Sequence, residues 1–337
     1  MTKGRQALFK ASLESIVENS QHLQKDIQAV IPVELRHVGL IGCGGTIAQL
    51  YPLQYLLDRY GKSFVTTVYN GAELANRRPA YLGPNSLMVA SSHSGGTRET
   101  VEAVRAAREQ GAKVIAITGN GSSALAEAAD LCLTYQDGPA LSEAKLMLGY
   151  LIGIQVLAAS DQVVDHEGLL AAWRALPDAF WLTMEQLAER AQEYANSVRD
   201  ERLFYVLGAG GAYGAAYAFC ICKLMEMQWR HGVPLNAAEF FHGPVEVTEG
   251  ELAFLVLMSE DNLRPTAERV VRFLAKYSFA VHVIDTRTIE LPAFPAAQRE
   301  EFSSLLLWPA INIYAEKLSE ATGHPLSRRR YMGIVDF

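Results

Sequence analysis

The chain has 337 residues, half of them hydrophobic and a fifth charged, with a net charge of −7. That composition describes a globular protein of about two domains. The acidic balance argues against a nucleic-acid surface, since the one basic run is Arg328-Arg329-Arg330.

The first residues lead into a polar amphipathic segment, not an apolar signal core. The longest apolar run, 146–159, holds two glycines and Gln155. It is too short to span a bilayer and predicts a buried helix, with no membrane segment. The cysteines are Cys43, Cys132, Cys220 and Cys222. Their spacing fits neither a zinc site nor a disulfide framework, which predicts reduced thiols and a cytoplasmic protein.

Residues 4–30 place Leu8, Leu13, Ile16 and Val17 at helical spacing, and Pro32 ends the stretch. An N-terminal helix within 1–34 is expected to lie on the first domain. Short apolar runs then follow at 37–42, 64–69, 87–90, 113–118 and 131–135. Helical stretches at 47–60, 98–110 and 142–159 separate or close them. This alternation predicts βαβ units and a parallel sheet, forming a domain over 35–165. Residues 166–200, with Trp173, Trp181 and regular Glu and Arg, predict a connecting pair of helices.

The alternation restarts in a domain over 201–337. A strand at 203–207 runs into Gly208-Ala209-Gly210-Gly211, and a long helix reaches Trp229. Further strands are expected at 252–257 and 279–284. A helical stretch at 302–321 contains Pro309, which should kink it or start a new one. Both halves read strand, Gly-rich turn, helix, more strands. The expected fold is α/β, a duplicated domain built on parallel sheets flanked by helices.

Ligands in open α/β sheets sit beyond the carboxyl ends of the strands. Ser91-Ser92-His93-Ser94-Gly95-Gly96-Thr97 lies there and opens a helix. Its backbone N–H groups can face an anion, and Ser92, Ser94 and Thr97 add hydroxyls. No Gly-Lys-Ser/Thr ending is present, so this is not a nucleotide P-loop. Hydroxyls without lysine suit a phosphate monoester on a sugar; a plain capping turn is the alternative. Cys43-Gly44-Gly45-Thr46 occupies the matching turn of the first strand. Ile47 stands where a dinucleotide fingerprint wants glycine, and Tyr213 fails the same test, so no NAD site is expected. The second-half loop Met258-Ser259-Glu260-Asp261-Asn262 holds two acids that repel phosphate. One phosphate site per chain is the expectation.

Other candidates each carry two readings. Glu73 is a sugar-hydroxyl acceptor or structural. His93 is a ligand contact or a loop residue. Glu143 and Lys145 begin a helix near the same mouth, as ligand groups or a solvated helix start. Cys43 reads as a packing residue.

Glu226 lies near a helix end that Gly232 and Pro234 break, and His242 follows in Glu239-Phe-Phe-His-Gly-Pro244. A carboxylate and an imidazole are the minimum equipment for moving protons on and off carbon and oxygen. An ordinary helix end with a loop histidine is the other reading.

The Ser92–Thr97 loop, the Cys43–Thr46 turn and the Glu239–Pro244 segment together resemble the double sugar-isomerase (SIS) domain family. That family includes the isomerase half of glucosamine-6-phosphate synthase. Gly208–Tyr217, Met225-Glu-Met-Gln-Trp229, Glu239–Glu246 and His324-Pro…Arg329-Arg-Tyr-Met332 are most similar to the sugar-amine 6-phosphate deglycases. These include the fructoselysine-6-phosphate and 6-phosphofructose-aspartate enzymes. The resemblance implies two tandem SIS domains, Glu226 and His242 as catalytic residues, and Ser92, Ser94, Thr97 and Thr46 as phosphate ligands. Gly44, Gly45, His93 and Glu73 would line the substrate. A homodimer is implied, with His242 reaching into the neighbouring subunit's site.

One departure separates the branches. The synthase forms a Schiff base through a lysine near its C-terminus; about Tyr331 stands in that place here, and no lysine follows Lys317. No glutaminase domain is expected either, since Met1 is not followed by the nucleophilic cysteine such a domain needs. The substrate must then bring its own nitrogen, as an Amadori 1-amino-1-deoxyfructose 6-phosphate does. No metal or redox cofactor is called for, because the substrate amine makes the C1 proton removable. Arg329 or Arg330 is expected to read the amino-acid moiety; the other reading is that all three arginines are solvated or pair with acids of the partner subunit. The alternatives are a phosphosugar aldose–ketose isomerase and a non-catalytic sugar-phosphate sensor.

Overall fold

The computed structural model describes residues 2–160 and 164–335. The chain forms two compact units. One comprises Met1–Trp181 with Ala293–Gln298, the other Leu182–Pro292 with Arg299–Phe337.

The first unit opens with α1 (Lys3–Glu18) and α2 (Ser20–Val30). A single helix was expected here. Asn19 divides it, because its side-chain amide and backbone N–H both turn back onto the Ser15 carbonyl. There follow β1 (His37–Gly42), α3 (Gly45–Ala48), α4 (Tyr51–Tyr60), β2 (Val65–Asn70), α5 (Gly71–Arg77) and β3 (Ser86–Ser91). Then come α6 (Arg98–Glu109), β4 (Lys113–Thr118), α7 (Ala124–Ala128), β5 (Leu131–Thr134), α8 (Leu141–Ala159) and α9 (His166–Arg174). The five strands are parallel in the order β2-β1-β3-β4-β5. β1 and β3 are buried at every position, as central strands covered on both faces must be.

The short helices α5 and α7 were not legible in the periodicity. Each spans about two turns or fewer, too short for a repeat to register. α8 is long and apolar enough to cross a membrane by composition, yet 83% of its apolar window is buried inside the protein. Its one mid-helix amide, Gln155, is satisfied by Gln28 and Gln24 of α2. It is a core helix, as its sequence predicts.

α10 (Leu176–Ser197) leads into β6 (Leu203–Gly208), α11 (Gly211–Ala218) and a π-helix, Phe219–Met227. β7 (His231–Asn236), β8 (Ala253–Met258), α12 (Arg264–Tyr277), β9 (Val281–Asp285) and α13 (Arg299–Thr322) complete the second unit. Its four parallel strands run β7-β6-β8-β9. This is the first four-strand order of the other sheet repeated, as a duplication requires.

Two expectations are corrected. The long helix does not stay α to Trp229 but widens into the π-helix after Ala218. β7 was missed, because Gly232 and Pro234 read as breakers. It is an edge strand, where a proline sacrifices no ladder bond. Of the two readings of Pro309, a new helix is not what forms: α13 runs through it with Leu305–Ile311 all buried.

His37, at the start of β1, is buried, with Nε2 2.6 Å from Thr67 Oγ1 and the Tyr81 ring edge-on at 5.2 Å. Burial pushes its pKa down from 6.5 to about 4. Between those values the unfolded chain takes up a proton that the folded chain refuses, so stability falls as pH falls. Going from pH 7 to pH 5 should cost about 2 kcal/mol from this residue. Urea unfolding at both pH values should show that extra loss in the native chain and not in His37→Gln. Equal losses would place the titration elsewhere.

Candidate functional site

β1 and β3 are neighbours in register, Ile41 beside Ala90, so the loops that follow them lie side by side. After β1 the chain turns sharply. A Cβ on Gly42 would stand 2.7 Å from the Ile47 backbone nitrogen. Gly44 holds φ 57° and ψ −125°, a region open only to glycine. Thr46 Oγ1 donates to the Cys43 carbonyl at 2.9 Å and accepts the Cys43 N–H at 3.2 Å. Its proton is thus committed to the turn, leaving the oxygen as an acceptor. The Thr100 hydroxyl donates to the Cys43 sulfur at 3.8 Å, tying this turn to the first turn of α6.

The loop after β3 is braced from below. Ser92 is buried; its Oγ accepts the Gly95 N–H at 3.1 Å and shares a 2.9 Å hydrogen bond with Thr97 Oγ1. Exposed Ser94 accepts the Gly96 N–H at 3.2 Å. Gly95 has φ +66°, and a Cβ there would collide with Ser123 and Thr118. Its carbonyl accepts the Leu125 N–H at 2.9 Å. Thr97 is the N-cap residue of α6, yet its side chain turns to Ser92 and caps none of the helix N–H groups. The start of this 12-residue helix therefore keeps amides unclaimed by a side chain, a favourable place for an anion. The His93 ring is already engaged, with Nδ1 3.0 Å from the Tyr135 hydroxyl and the two rings stacked. Glu73 stands exposed in the first turn of α5. Glu143 and Lys145 are buried within α8, so the solvated helix start expected for them is corrected.

The second unit repeats the first turn closely. A Cβ on Gly208 would stand 2.6 Å from the Ala212 carbonyl oxygen. Gly210 holds φ 54° and ψ −130°. The loop after β8 differs. Asp261 accepts from Ser259 Oγ at 2.7 Å and from the Leu263 N–H at 2.9 Å. Arg264 donates to the Ser259 carbonyl and forks onto Asp285 at 2.8 and 2.6 Å. Glu260 pairs with Arg299. The protein's own carboxylates fill this loop.

Glu226 lies in the π-helix, a distortion frequent at functional positions. Its Oε1 is 2.7 Å from Arg329 Nη2. His242 is exposed in the turn after β7, with its backbone N–H on the Glu239 carbonyl. Among the described residues, no hydrogen bond or ion pair joins Glu226 to His242. Arg330 lies 4.0 Å over the Trp229 ring, and Arg328 6.0 Å. Trp229 adopts φ +55°, rare for a bulky side chain. The His324 ring meets Trp229 edge-on, and Gln228 donates to the His324 carbonyl at 2.7 Å. Sequence reasoning missed this anchor of Gln228, Trp229 and His324, since nothing in the spacing marks residues 96 positions apart as partners. Among the described residues, no three His, Cys, Asp or Glu side chains cluster as metal ligands would.

Residues 36–157, which carry the first sheet, match the SIS domain model. The fructosamine deglycase FrlB of Bacillus subtilis (strain 168) is 33% identical over 322 residues, covering 94% of this chain and 98% of that protein. The chain belongs to the fructosamine deglycase family of SIS-domain enzymes. A fructoselysine 6-phosphate deglycase of Escherichia coli (strain K12) is 24% identical, covering 92% of this chain and 90% of that one. A Salmonella typhimurium LT2 crystal structure, described as a candidate phosphosugar isomerase, superposes with TM-score 0.89 at 30% identity. It covers 95% of this chain and 96% of its own. The second sheet, with the same strand order and the same glycine turn, is the second SIS domain of the tandem.

Gly44 and Gly95 separate backbone strain from crowding. Gly44→Ala meets open space and should cost about 1–3 kcal/mol from backbone conformation alone. Gly95→Ala adds a collision with Ser123 and should cost more. Urea midpoints of the two variants check the order; a milder effect at Gly95 would mean that its loop moves aside freely.

Proposed function

We propose that this enzyme cleaves an Amadori sugar-amine 6-phosphate, such as 6-phosphofructose-aspartate, with water to glucose 6-phosphate and an amino acid. The observation that carries the phosphate half is the Ser92–Thr97 loop. It offers hydroxyls and an uncapped helix start, whereas the corresponding second-unit loop is filled by Glu260 and Asp261. Ser92, Ser94 and Thr97 bind the phosphate, and Thr46 contributes its oxygen from the adjacent turn. Gly44 and Gly45 let the substrate approach the backbone. His93, held on Tyr135, supports the loop more than it touches ligand. Glu73 is an exposed acceptor suited to a sugar hydroxyl. The names of the relatives support a glycated amine as substrate.

Glu226 and His242 move the protons. His242 assists opening of the furanose ring. Glu226 removes a proton from C1, giving an enolamine, and returns it at C2. The double bond then lies between C1 and the substrate nitrogen, and water hydrolyses this imine to the aldehyde and the free amine. No electrons leave the substrate. We further infer a cytoplasmic homodimer in which His242, exposed and without a side-chain partner among the described residues, serves the neighbouring subunit's site. An aldose–ketose isomerase uses the same proton shuttle, and the description of the Salmonella relative favours keeping it as the second reading. Incubation with fructose-amino-acid 6-phosphates, with glucose 6-phosphate detected by a coupled dehydrogenase, separates the two.

Glu226→Gln should fold and bind substrate yet lose roughly a hundredfold or more in turnover. Mixed with His242→Ala after subunit exchange, it should recover up to about a quarter of native activity, because about half the dimers regain one intact site. Activity above about a tenth in Glu226→Gln alone would sink the base assignment. No recovery despite proven exchange would sink the shared site.

Ser92→Ala with Ser94→Ala should raise KM for the phosphorylated substrate, each lost charge-assisted hydrogen bond being worth about 1.5–3 kcal/mol. Native turnover of unphosphorylated fructosamines at equal efficiency would remove the phosphate from the reading.

A further inference from the structure

The carboxylate assigned as the base is not free. Arg329 holds Glu226 Oε1 at 2.7 Å, with the two side chains only 24% and 22% exposed. The guanidinium is fixed on its other side too. Nη1 donates to the Leu326 carbonyl at 2.7 Å and the Arg328 carbonyl at 3.0 Å. Those two bonds use both Nη1 hydrogens. Nε has no partner among the described residues, and Nη2 meets only Glu226. The Nε–Nη2 edge is the fork that receives a carboxylate with two parallel bonds. Arg329 thus shows its carboxylate-binding edge to the place where Glu226 must work.

The other two arginines of the run are differently employed. Arg330 stacks on Trp229, and Arg328 is exposed beside the same ring. They fasten the tail, together with the Gln228–His324 bond. Arg329 alone faces a reacting group. A carboxylate oxygen held by a guanidinium is not free to reach a substrate proton.

Resting on the reading of substrate above, we propose that Arg329 determines specificity by exchange. The carboxylate of the substrate's amino-acid moiety takes the Nε–Nη2 fork, and Glu226 is released to abstract the C1 proton. The reaction is then favoured only when the amine being removed carries a carboxylate. No bond is made or broken in the exchange; one ion pair replaces another, so the charge of the substrate is compensated while the base is freed.

The test uses the full-length enzyme and two Amadori 6-phosphates of similar size. One is formed from an amino acid, the other from a plain alkylamine. In Arg329→Gln, KM for the amino-acid substrate should rise about 10- to 100-fold, the loss of a charge-assisted contact. Efficiency on the alkylamine substrate should stay level or rise. Arg329→Lys should recover part of the amino-acid preference, as a charge without a fork. Arg330→Gln, which loosens the tail on Trp229, should affect both substrates equally. Equal losses on both substrates in Arg329→Gln, or no loss on either, would overturn the exchange while leaving the function standing. Absence of turnover of both substrates by the native enzyme would overturn the functional reading itself, and the exchange with it.

Discussion

The constraint on which both halves depend is the turn after the first strand of each sheet. At Gly42 and Gly208 the following helix lies so close that a Cβ would overlap its backbone. Gly44 and Gly210 then reverse the chain through nearly the same dihedral angles, 57°/−125° and 54°/−130°. The helix start is thereby drawn onto the carboxyl end of the strand. Every later loop is built against that fixed point, as the Thr100–Cys43 contact illustrates in the first unit. An alanine at the reversing position would oppose this geometry by about 1–3 kcal/mol, a large share of the margin that keeps a domain folded.

Given two copies of one architecture, the loops after their third strands differ in charge. In the first unit the third-strand loop uses hydroxyls and glycine amides and contains no acid. In the second, Asp261 accepts the Leu263 N–H just ahead of α12 and Glu260 engages Arg299. Carboxylates held in a loop repel a phosphate brought to it. The scaffold occurs twice, and a few side chains at one loop make the two copies differ in charge.

Much of this was legible in the residues, and the exceptions have physical causes. Parallel central strands are continuous apolar runs, so β1, β3, β4, β6 and β8 announce themselves. The turn at Gly95 is legible because special backbone conformations need glycine. Edge strand β7 is not, because an edge tolerates the Gly232 and Pro234 that would disqualify a central strand. α5 and α7 are too short for a period. The π-helix is invisible because its apolar spacing differs little from that of an α-helix over nine residues. Glu226 was found as a carboxylate at a helix end, but its pairing with Arg329 joins residues 226 and 329, and no local pattern encodes such a contact.

The π-helix and the tail are linked by one strained residue. Widening the helix changes how its last turn ends, and the Arg230 N–H closes back on the Leu224 carbonyl at 3.0 Å. That closure leaves Trp229 at φ +55°, a conformation costing of order 1–3 kcal/mol for a bulky side chain. The cost persists only if contacts hold the ring in place. His324 and Arg330 provide them, one edge-on at 4.5 Å and one stacked at 4.0 Å. Both belong to the segment that carries Arg329. The strain that presents Trp229 therefore also positions the guanidinium beside Glu226. Helix widening, tail docking and control of the carboxylate are one coupled arrangement.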